Sequence, residues 1–454
     1  MKWLKRIGLV LGVLILLLAV VPFFISLDDY IPRIEEEISA RLKEPVKIGG
    51  LRAAALPLPH VTVDGITVGK TEDIKVGKVT ITPDFWSLLE PTKVIKSIEI
   101  EQFILTQKAI DKIPAWTKTD PKPKQEPAAM RVESITINDA LVKLDKASFG
   151  PFDAQLNMNS SGDLEDASLA TQDGKLKAYV KPDKSNYLID ASAKAWKLPV
   201  GPAIQFDELN IKGVATLKGA NLNYVRAKLY GGTVAGKANV AWQKGMQLKG
   251  NFDVNQVELK PLVPLLSPGT NVSGKLNAKP VFSANAANAG QLMNALHLET
   301  PFNVQNGVLY GVDVSKAATS LISRDGGKGG ETRFDTLSGH LVMDRGTYRF
   351  TQLNVASGSL AANGNVTISP EKELSGRVNA QVKAGQVTAA SVPLNVSGTV
   401  QSPILLPTAG YLAGAAVGTA ILGPGLGTSI GTTIGSGISR LFGGDEEKKE
   451  EKKK

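Results

Sequence analysis

From Val46 to about Ser402 apolar and polar residues alternate with a period of two, and helical spacing is nearly absent. In the segment 246–254, Met246, Leu248, Gly250, Phe252 and Val254 fall on one side, and Gln247, Lys249, Asn251 and Asp253 on the other. Ile211, Gly213, Ala215 and Leu217 repeat the pattern, as do Leu394, Val396, Gly398 and Val400. One apolar and one wet face per strand predicts an antiparallel sheet, because parallel strands are buried on both faces and read as continuous apolar runs. Gly, Asn, Asp and Pro divide the alternation into roughly twenty strands. Tight turns such as Asp344-Arg345-Gly346 join them. A Gly-x-x-Asn pattern recurs at Gly236–Asn239, Gly274–Asn277 and Gly376–Asn379 without fixed spacing, which argues for a long meander of similar hairpins and against a propeller or strict solenoid.

Three stretches break the alternation. Ile7 to Leu27 carries no charge, follows Lys2, Lys5 and Arg6, and precedes Asp28 and Asp29. That length suits a membrane-spanning helix, with the basic flank cytoplasmic and everything after Asp28 on the far side. The rival is a cleaved signal peptide, but the run is long for one and its only small-residue site, Ala19-Val20-Val21, is poor. Next, Ile31, Ile34, Ile38 and Leu42 have helical spacing, with Asp28 and Asp29 as capping candidates, Pro32 in the first turn and Pro45 as the stop. A short amphipathic helix packed on the end of the following domain is expected. Third, no charged side chain occurs from Ala384 to Ser439. Gly410, Gly414 and Gly418 recur every fourth residue, and across Pro424 so do Gly423, Gly427, Gly431 and Gly435. Leu426, Ile430, Ile434, Ile438 and Phe442 run beside the second row. Spacing of four keeps each set on one helical strip, so Gly427, Gly431 and Gly435 read as helix-packing glycines and the apolar ridge as a membrane-contacting surface. A helical hairpin folded back on the β domain is the alternative.

Composition changes this picture little. The 454 residues are 43% hydrophobic and 21% charged, an ordinary globular balance. Lys+Arg 52 against Asp+Glu 43 leaves +9, but the excess is scattered and not interleaved with aromatics, so nucleic acid is not an expected partner. There is no cysteine, hence no disulfide or thiolate chemistry.

The chemistry of catalysis is also sparse. Gly427-Thr-Ser-Ile-Gly431 spells a hydrolase nucleophile elbow, but no histidine follows Ser429. His60, His297 and His340 are far apart and lack metal-ligand spacing. No catalytic residue, metal site or cofactor is therefore expected, and a carbohydrate-active β-helix enzyme would need a same-face carboxylate pair that does not stand out.

Several blocks together resemble the AsmA-like proteins of Gram-negative envelopes. They are the anchor with "EPVKIGGLRAAALPLPHVTVDGITVG", then "AKLYGGTVAGKANV", "FNVQNGVLYGVDV", "FDTLSGHLVMDRGTYRF" and "VPLNVSGTVQSPILLP". Lys43-Glu44 stands where the family has Gly-Arg, and the chain is short for the family. The resemblance implies a single-pass bacterial inner-membrane protein with its C-terminal bulk in the periplasm. It also implies a sheet curled into a long groove with an apolar floor, like that of bridge-like lipid carriers. Twenty strands about 4.8 Å apart would extend on the order of 90 to 100 Å. The expected organisation is an anchor (1–27), an N-terminal region of short helix then β (28–117), a Pro-rich charged linker or loop (118–127), an extended β-groove (128–403), a Gly-rich apolar helical segment (404–443) and a charged tail (444–454). Ile211, Leu217, Met246, Leu248, Phe252, Val254, Leu394 and Val396 are the groove candidates. The expected function is non-enzymatic: shielding phospholipid acyl chains for inner-to-outer membrane transport and outer-membrane maintenance. Membrane lipids are the partners, with the outer membrane or envelope proteins as further candidates. The alternative is a periplasmic scaffold with a dry β core that assists outer-membrane protein assembly.

Overall fold

A computed structural model describes residues 27–56, 58–116, 130–144, 147–199, 201–243, 245–319, 328–384, 387–388 and 391–414. These fall into two compact units, one running to Ala203 and including Asn210–Thr216, the other comprising Ile204–Leu209 and the chain from Leu217. The described residues form twenty-five strands, so the mainly β expectation holds.

The first unit opens with a 3-10 turn (Asp28–Tyr30) and helix α1 (Ile31–Leu42), whose Pro32 fits the first turn. Lys43 ends the helix in the left-handed region (φ 55), ahead of Pro45. Asp28 does not cap the helix: its Oδ1 accepts from the Leu51 N–H at 3.3 Å. Glu35 and Ser39 likewise accept from the Ile48 and Val46 N–H groups at 2.7 and 2.9 Å. The helix thus satisfies donors that an edge strand leaves open.

Strands β1 (Val46–Lys47) and β2 (Gly50–Ala54) both pair with β3 (His60–Val68), which leads antiparallel into β4 (Ile74–Pro83) and β5 (Lys93–Thr106). Helix α2 (Gln107–Trp116) follows directly. Here the fully antiparallel expectation is corrected: β6 (Met130–Val132) and β7 (Ser134–Leu144) pair with β5 in parallel. A parallel return needs a crossover, and α2 with residues 117–129 supplies its length. Then β8 (Ala147–Met158), β9 (Leu164–Thr171), β10 (Leu176–Asp183) and β11 (Asn186–Lys197) continue antiparallel. Strand β12 (Gln205–Thr216) contributes residues to both units. Helix α2 is fastened by Lys112, whose Nζ donates to buried Asp73 Oδ2 at 2.8 Å and to Glu44 Oε1 at 2.7 Å.

In the second unit β13 (Gly219–Leu229), β14 (Gly232–Ala241) and β15 (Met246–Glu258) form a meander. Next come α3 (Leu259–Leu266), β16 (Val272–Ala278) and β17 (Val281–Ala286); the two strands divide the length of β15 and both pair with β18 (His297–Val312). After α4 (Val314–Thr319) an antiparallel series runs through β19 (Lys328–Asp344), β20 (Thr347–Ala356), β21 (Leu360–Ile368), β22 (Leu374–Ala384), β24 (Val392–Thr399) and β25 (Ser402–Pro407), with a two-residue β23 (Val387–Thr388) beside β22. The β19–β20 turn is Arg345-Gly346, both at positive φ (45 and 83), as a two-residue hairpin needs. A bulge at Gln256 (φ 55) lets Val254 and Val257 share a face, and Asn277 Oδ1 accepts the Gln256 N–H at 3.1 Å. One copy of the recurring Gly-x-x-Asn thereby acquires a role.

Among the described residues two dry clusters lie in this unit. Leu259 of α3 packs with Val304 and Phe334, and α4 packs with Leu360, Ala380, Leu394, Val396, Leu405 and Tyr411. Among the described residues no helix is long and apolar enough to cross a membrane. The run Ile7–Leu27, apart from Leu27, lies outside them, as does the linker 118–127. The helical segment expected from residue 404 begins later: β25 continues to Pro407 and residues 409–414 are helical. Leu426, Gly427, Ile430, Gly431, Ile434, Gly435, Ile438 and Phe442 lie outside the described residues.

Candidate functional site

Directly opposed residues of an antiparallel ladder, and partnered residues of a parallel one, share a face, so the registers show what each face presents. In the first unit Val61, Ile81, Ile98 and Ile135 are successive partners across β3, β4, β5 and β7. The row continues through Leu156, Ala167, Val180 and Ile189 on β8 to β11. A second row beside it runs Val63, Val79, Ile100 and Ile137, then Ala154, Leu169, Ala178 and Ala191. All sixteen are half-buried. Among the described residues the strands of this unit make extensive contact only with strands they hydrogen-bond, so no second sheet covers the rows. The opposite face is charged and paired: Lys78 meets Glu101 at 2.6 Å and Lys212 meets Asp190 at 2.9 Å.

In the second unit Met246, Leu248, Phe252 and Val254 alternate with exposed polar residues, as expected, and are half-buried. Their partners are apolar or glycine: Val240 and Ala284 beside Leu248, Gly236 beside Phe252, Val234 and Ala278 beside Val254. The glycines let rings lie flat. A Cβ on Gly236 would stand 2.3 Å from Phe252 Cδ1, and one on Gly250 would stand 2.5 Å from Phe282 Cζ. Phe252 and Phe282 are stacked, with centroids 5.4 Å apart and planes 21° apart. Each ring covers a neighbouring strand's glycine, which makes the face smooth and apolar.

The other groove candidates divide. Ile211 is half-buried on β12. Leu217 is corrected: it sits in the turn after β12, 84% exposed, because the strand ends at Thr216 and the alternation no longer fixes its face. Leu394 and Val396 are also corrected. They alternate as expected, but α4, β25 and Tyr411 close over them and Leu394 is 0% exposed. A period of two shows which residues share a face and does not show what covers it.

Two features escaped the sequence reading. The rows of the first unit needed the pairing register. The β4–β5 connection exposes Phe85, Trp86 and Leu89, and the run Phe-Trp-Ser-Leu-Leu between two strands was a readable signal. Among the described residues no group of His, Asp or Glu could hold a metal ion. Gly427-Thr-Ser-Ile-Gly431 lies outside them.

A comparison with curated proteins and one with solved structures found no match. A sequence model of the AsmA family matches residues 119–353, just over half of the chain, from the crossover through most of β20. The chain therefore belongs to the AsmA family.

Proposed function

We propose that this protein is a non-enzymatic envelope component that shields phospholipid acyl chains against the apolar faces of its sheets. It is held in the inner membrane by residues 7–27, with the rest of the chain in the periplasm, and passes lipid toward the outer membrane. The observation that carries this reading is the pair of continuous, half-buried apolar rows on β3 to β11, which no second sheet covers among the described residues. Ordinary single-layer sheets do not leave such surface open to water. An acyl chain of about 16 carbons costs roughly 12 kcal/mol to expose, at about 0.8 kcal/mol per CH₂. A face that shields half of it removes about 6 kcal/mol of that cost. Bulges such as that at Gln256 bend strands and support a curled sheet. The dry clusters under α3 and α4 are the part a scaffold for outer-membrane protein assembly would use, and both lie in the second unit.

The test is lipid analysis of full-length protein extracted in mild detergent. Co-purifying phospholipid, reduced in Ile98→Asp and Phe252→Asp variants that remain folded, is expected. Lipid-free wild type, or variants that keep their lipid, would remove this reading in favour of the scaffold.

A further inference from the structure

One corner of the first unit is built unlike the rest. The β2–β3 and β4–β5 connections lie at the same end of the sheet, since Ala54 pairs with His60, Val61 with Ile81, and Pro83 with Ile95. They expose Leu56, Leu58, Phe85, Trp86 and Leu89, with Trp86 at 73% and Leu89 at 83%. The β8–β9 and β10–β11 turns lie at the same end but farther along the sheet, and read Asn-Ser-Ser-Gly-Asp and Lys-Ser. At the opposite end the β3–β4 and β9–β10 turns are Gly-Lys-Thr-Glu-Asp and Gln-Asp-Gly-Lys. Among the described turns of this unit, exposed large apolar side chains gather only at the first corner.

That corner is held in shape. Asp84 Oδ1 accepts the Trp86 N–H at 3.0 Å, Ser87 Oγ donates to Asp84 O at 2.8 Å, and Ser87 Oγ accepts the Val94 N–H at 2.9 Å. The Trp86 N–H holds the Asp84 carboxyl below the usual carboxylate range, so the brace is intact at neutral pH. The rings of Phe85 and Trp86 meet edge to face at 5.4 Å. A braced loop that displays a Trp, a Phe and a Leu outward has no use for them in its own core.

The direction of α1 identifies what covers them. Ser39 bonds Val46, Glu35 bonds Ile48 and Asp28 bonds Leu51, so the helix start points toward this corner. From Leu51 to Ala54 the strand advances about 10 Å, at roughly 3.3 Å per residue. The uncharged run Ile7–Leu27 therefore leads into the fold at the end of α1 nearer these loops, with exposed Tyr30 in the turn before the helix. Trp, Tyr and Phe favour the bilayer interface, where an apolar ring and a polar edge are both satisfied.

We propose that the β2–β3 and β4–β5 loops form a bilayer-docking corner that inserts Phe85, Trp86 and Leu89 into the membrane interface beside the chain's own uncharged run. The occupant is a phospholipid surface. This rests on the membrane-anchor part of the function proposed above and not on lipid carriage. It fixes which end of the apolar rows faces the bilayer: the end at Ala53, Val61 and Ile81.

The chain has no cysteine, so single cysteines can carry an environment-sensitive fluorophore in the full-length protein. Leu89→Cys reports the corner, Ser185→Cys the polar β10–β11 turn, and Leu16→Cys the run itself. Phe85→Cys is a second corner site should Leu89→Cys fail to fold by circular dichroism. The protein is reconstituted in vesicles of phosphatidylethanolamine and phosphatidylglycerol, with and without lipid carrying a shallow nitroxide or, for the Leu16 probe, a deep one. A probe held about 5–10 Å into the interface should lose at least about half its emission at the corner. The Ser185 probe should be unaffected. An unquenched corner probe beside a quenched Leu16 probe would overturn the docking corner while leaving the anchor. A corner probe that is blue-shifted but unquenched would mean that protein, such as a second copy, covers the loops, and would also overturn it. Loss of quenching at both Leu16 and Leu89 would remove the anchor as well, and none of these three results depends on whether the apolar rows carry lipid.

Discussion

An aspartate placed on an open apolar face and one placed in a closed core should behave differently, and Phe252 and Leu394 provide the pair. Leu394 is fully buried among Leu360, Ala380, Val396 and Tyr411. Removing a buried leucine costs about 3–5 kcal/mol from lost transfer energy and the cavity left behind. A carboxylate in its place adds several kcal/mol because no described partner neutralises it there. The sum reaches the 5–15 kcal/mol that holds a typical domain, so Leu394→Asp should unfold the end of the second unit. Phe252 lies on a half-exposed face, over Gly236 and stacked on Phe282 at 5.4 Å. Phe252→Asp loses the aromatic pairing, about 0.5–1.5 kcal/mol, and part of the ring's burial, about 1–2 kcal/mol, while water hydrates the new charge. Roughly 2–3 kcal/mol is expected from these parts. Urea unfolding of the full-length protein in detergent, followed by near-ultraviolet circular dichroism, measures both. Equal loss of stability in the two variants would refute the reasoning, because it would mean that the Phe252 face is closed in the native protein.

The fastening of α2 gives a pH prediction. Hydrogen bonds from Lys112 and Thr71 hold Asp73 below the usual carboxylate range, so its contribution is complete above about pH 5 and is lost as pH falls below about 4. Asp73→Asn should cost about 2 kcal/mol at pH 7, speed hydrogen exchange in Gln107–Trp116, and remove that acid dependence. A reporter active only outside the cytoplasm, fused after residue 130, should be active; silence with good expression would contradict the envelope placement. Replacing Gly427, Gly431 and Gly435 with leucine should impair function, as their every-fourth-residue spacing in the sequence predicts, whereas Ser429→Ala should not. Loss of function in Ser429→Ala alone would reopen the nucleophile reading of Gly427-Thr-Ser-Ile-Gly431.

The alternation in Met246–Val254 was legible because each strand of an antiparallel sheet carries its own face assignment, and the turn at Arg345-Gly346 because two positive-φ residues in a row have few sequence solutions. Leu394 and Leu248 look alike in sequence, and α4, β25 and Tyr411, which pack over Leu394 from elsewhere in the chain, make the difference between the two. The parallel step at β5–β7 was hidden for a related reason: strand patterns do not specify partners, and Ile98 beside Ile135 would fit either direction. Leu217 continued the period of two one residue past the point where the strand stops. The apolar rows of the first unit required registers that no single strand encodes, although every residue in them sits in a readable alternation or a short apolar run.

The central claim, that the uncovered apolar rows hold acyl chains, is tested most directly by a photoreactive side chain placed within them. Ile98 in the rows of the first unit and Phe282 on the apolar β15–β17 face of the second are the sites, with Lys249, on the polar face of β15, as the reference. Irradiation of cells that express the full-length protein, followed by mass spectrometry of the purified chain, reports what lies against each position. Phospholipid adducts at 98 and 282 in clear excess over 249 are predicted. Intact photoprobes that yield only protein adducts, or none, at both 98 and 282 would contradict the account.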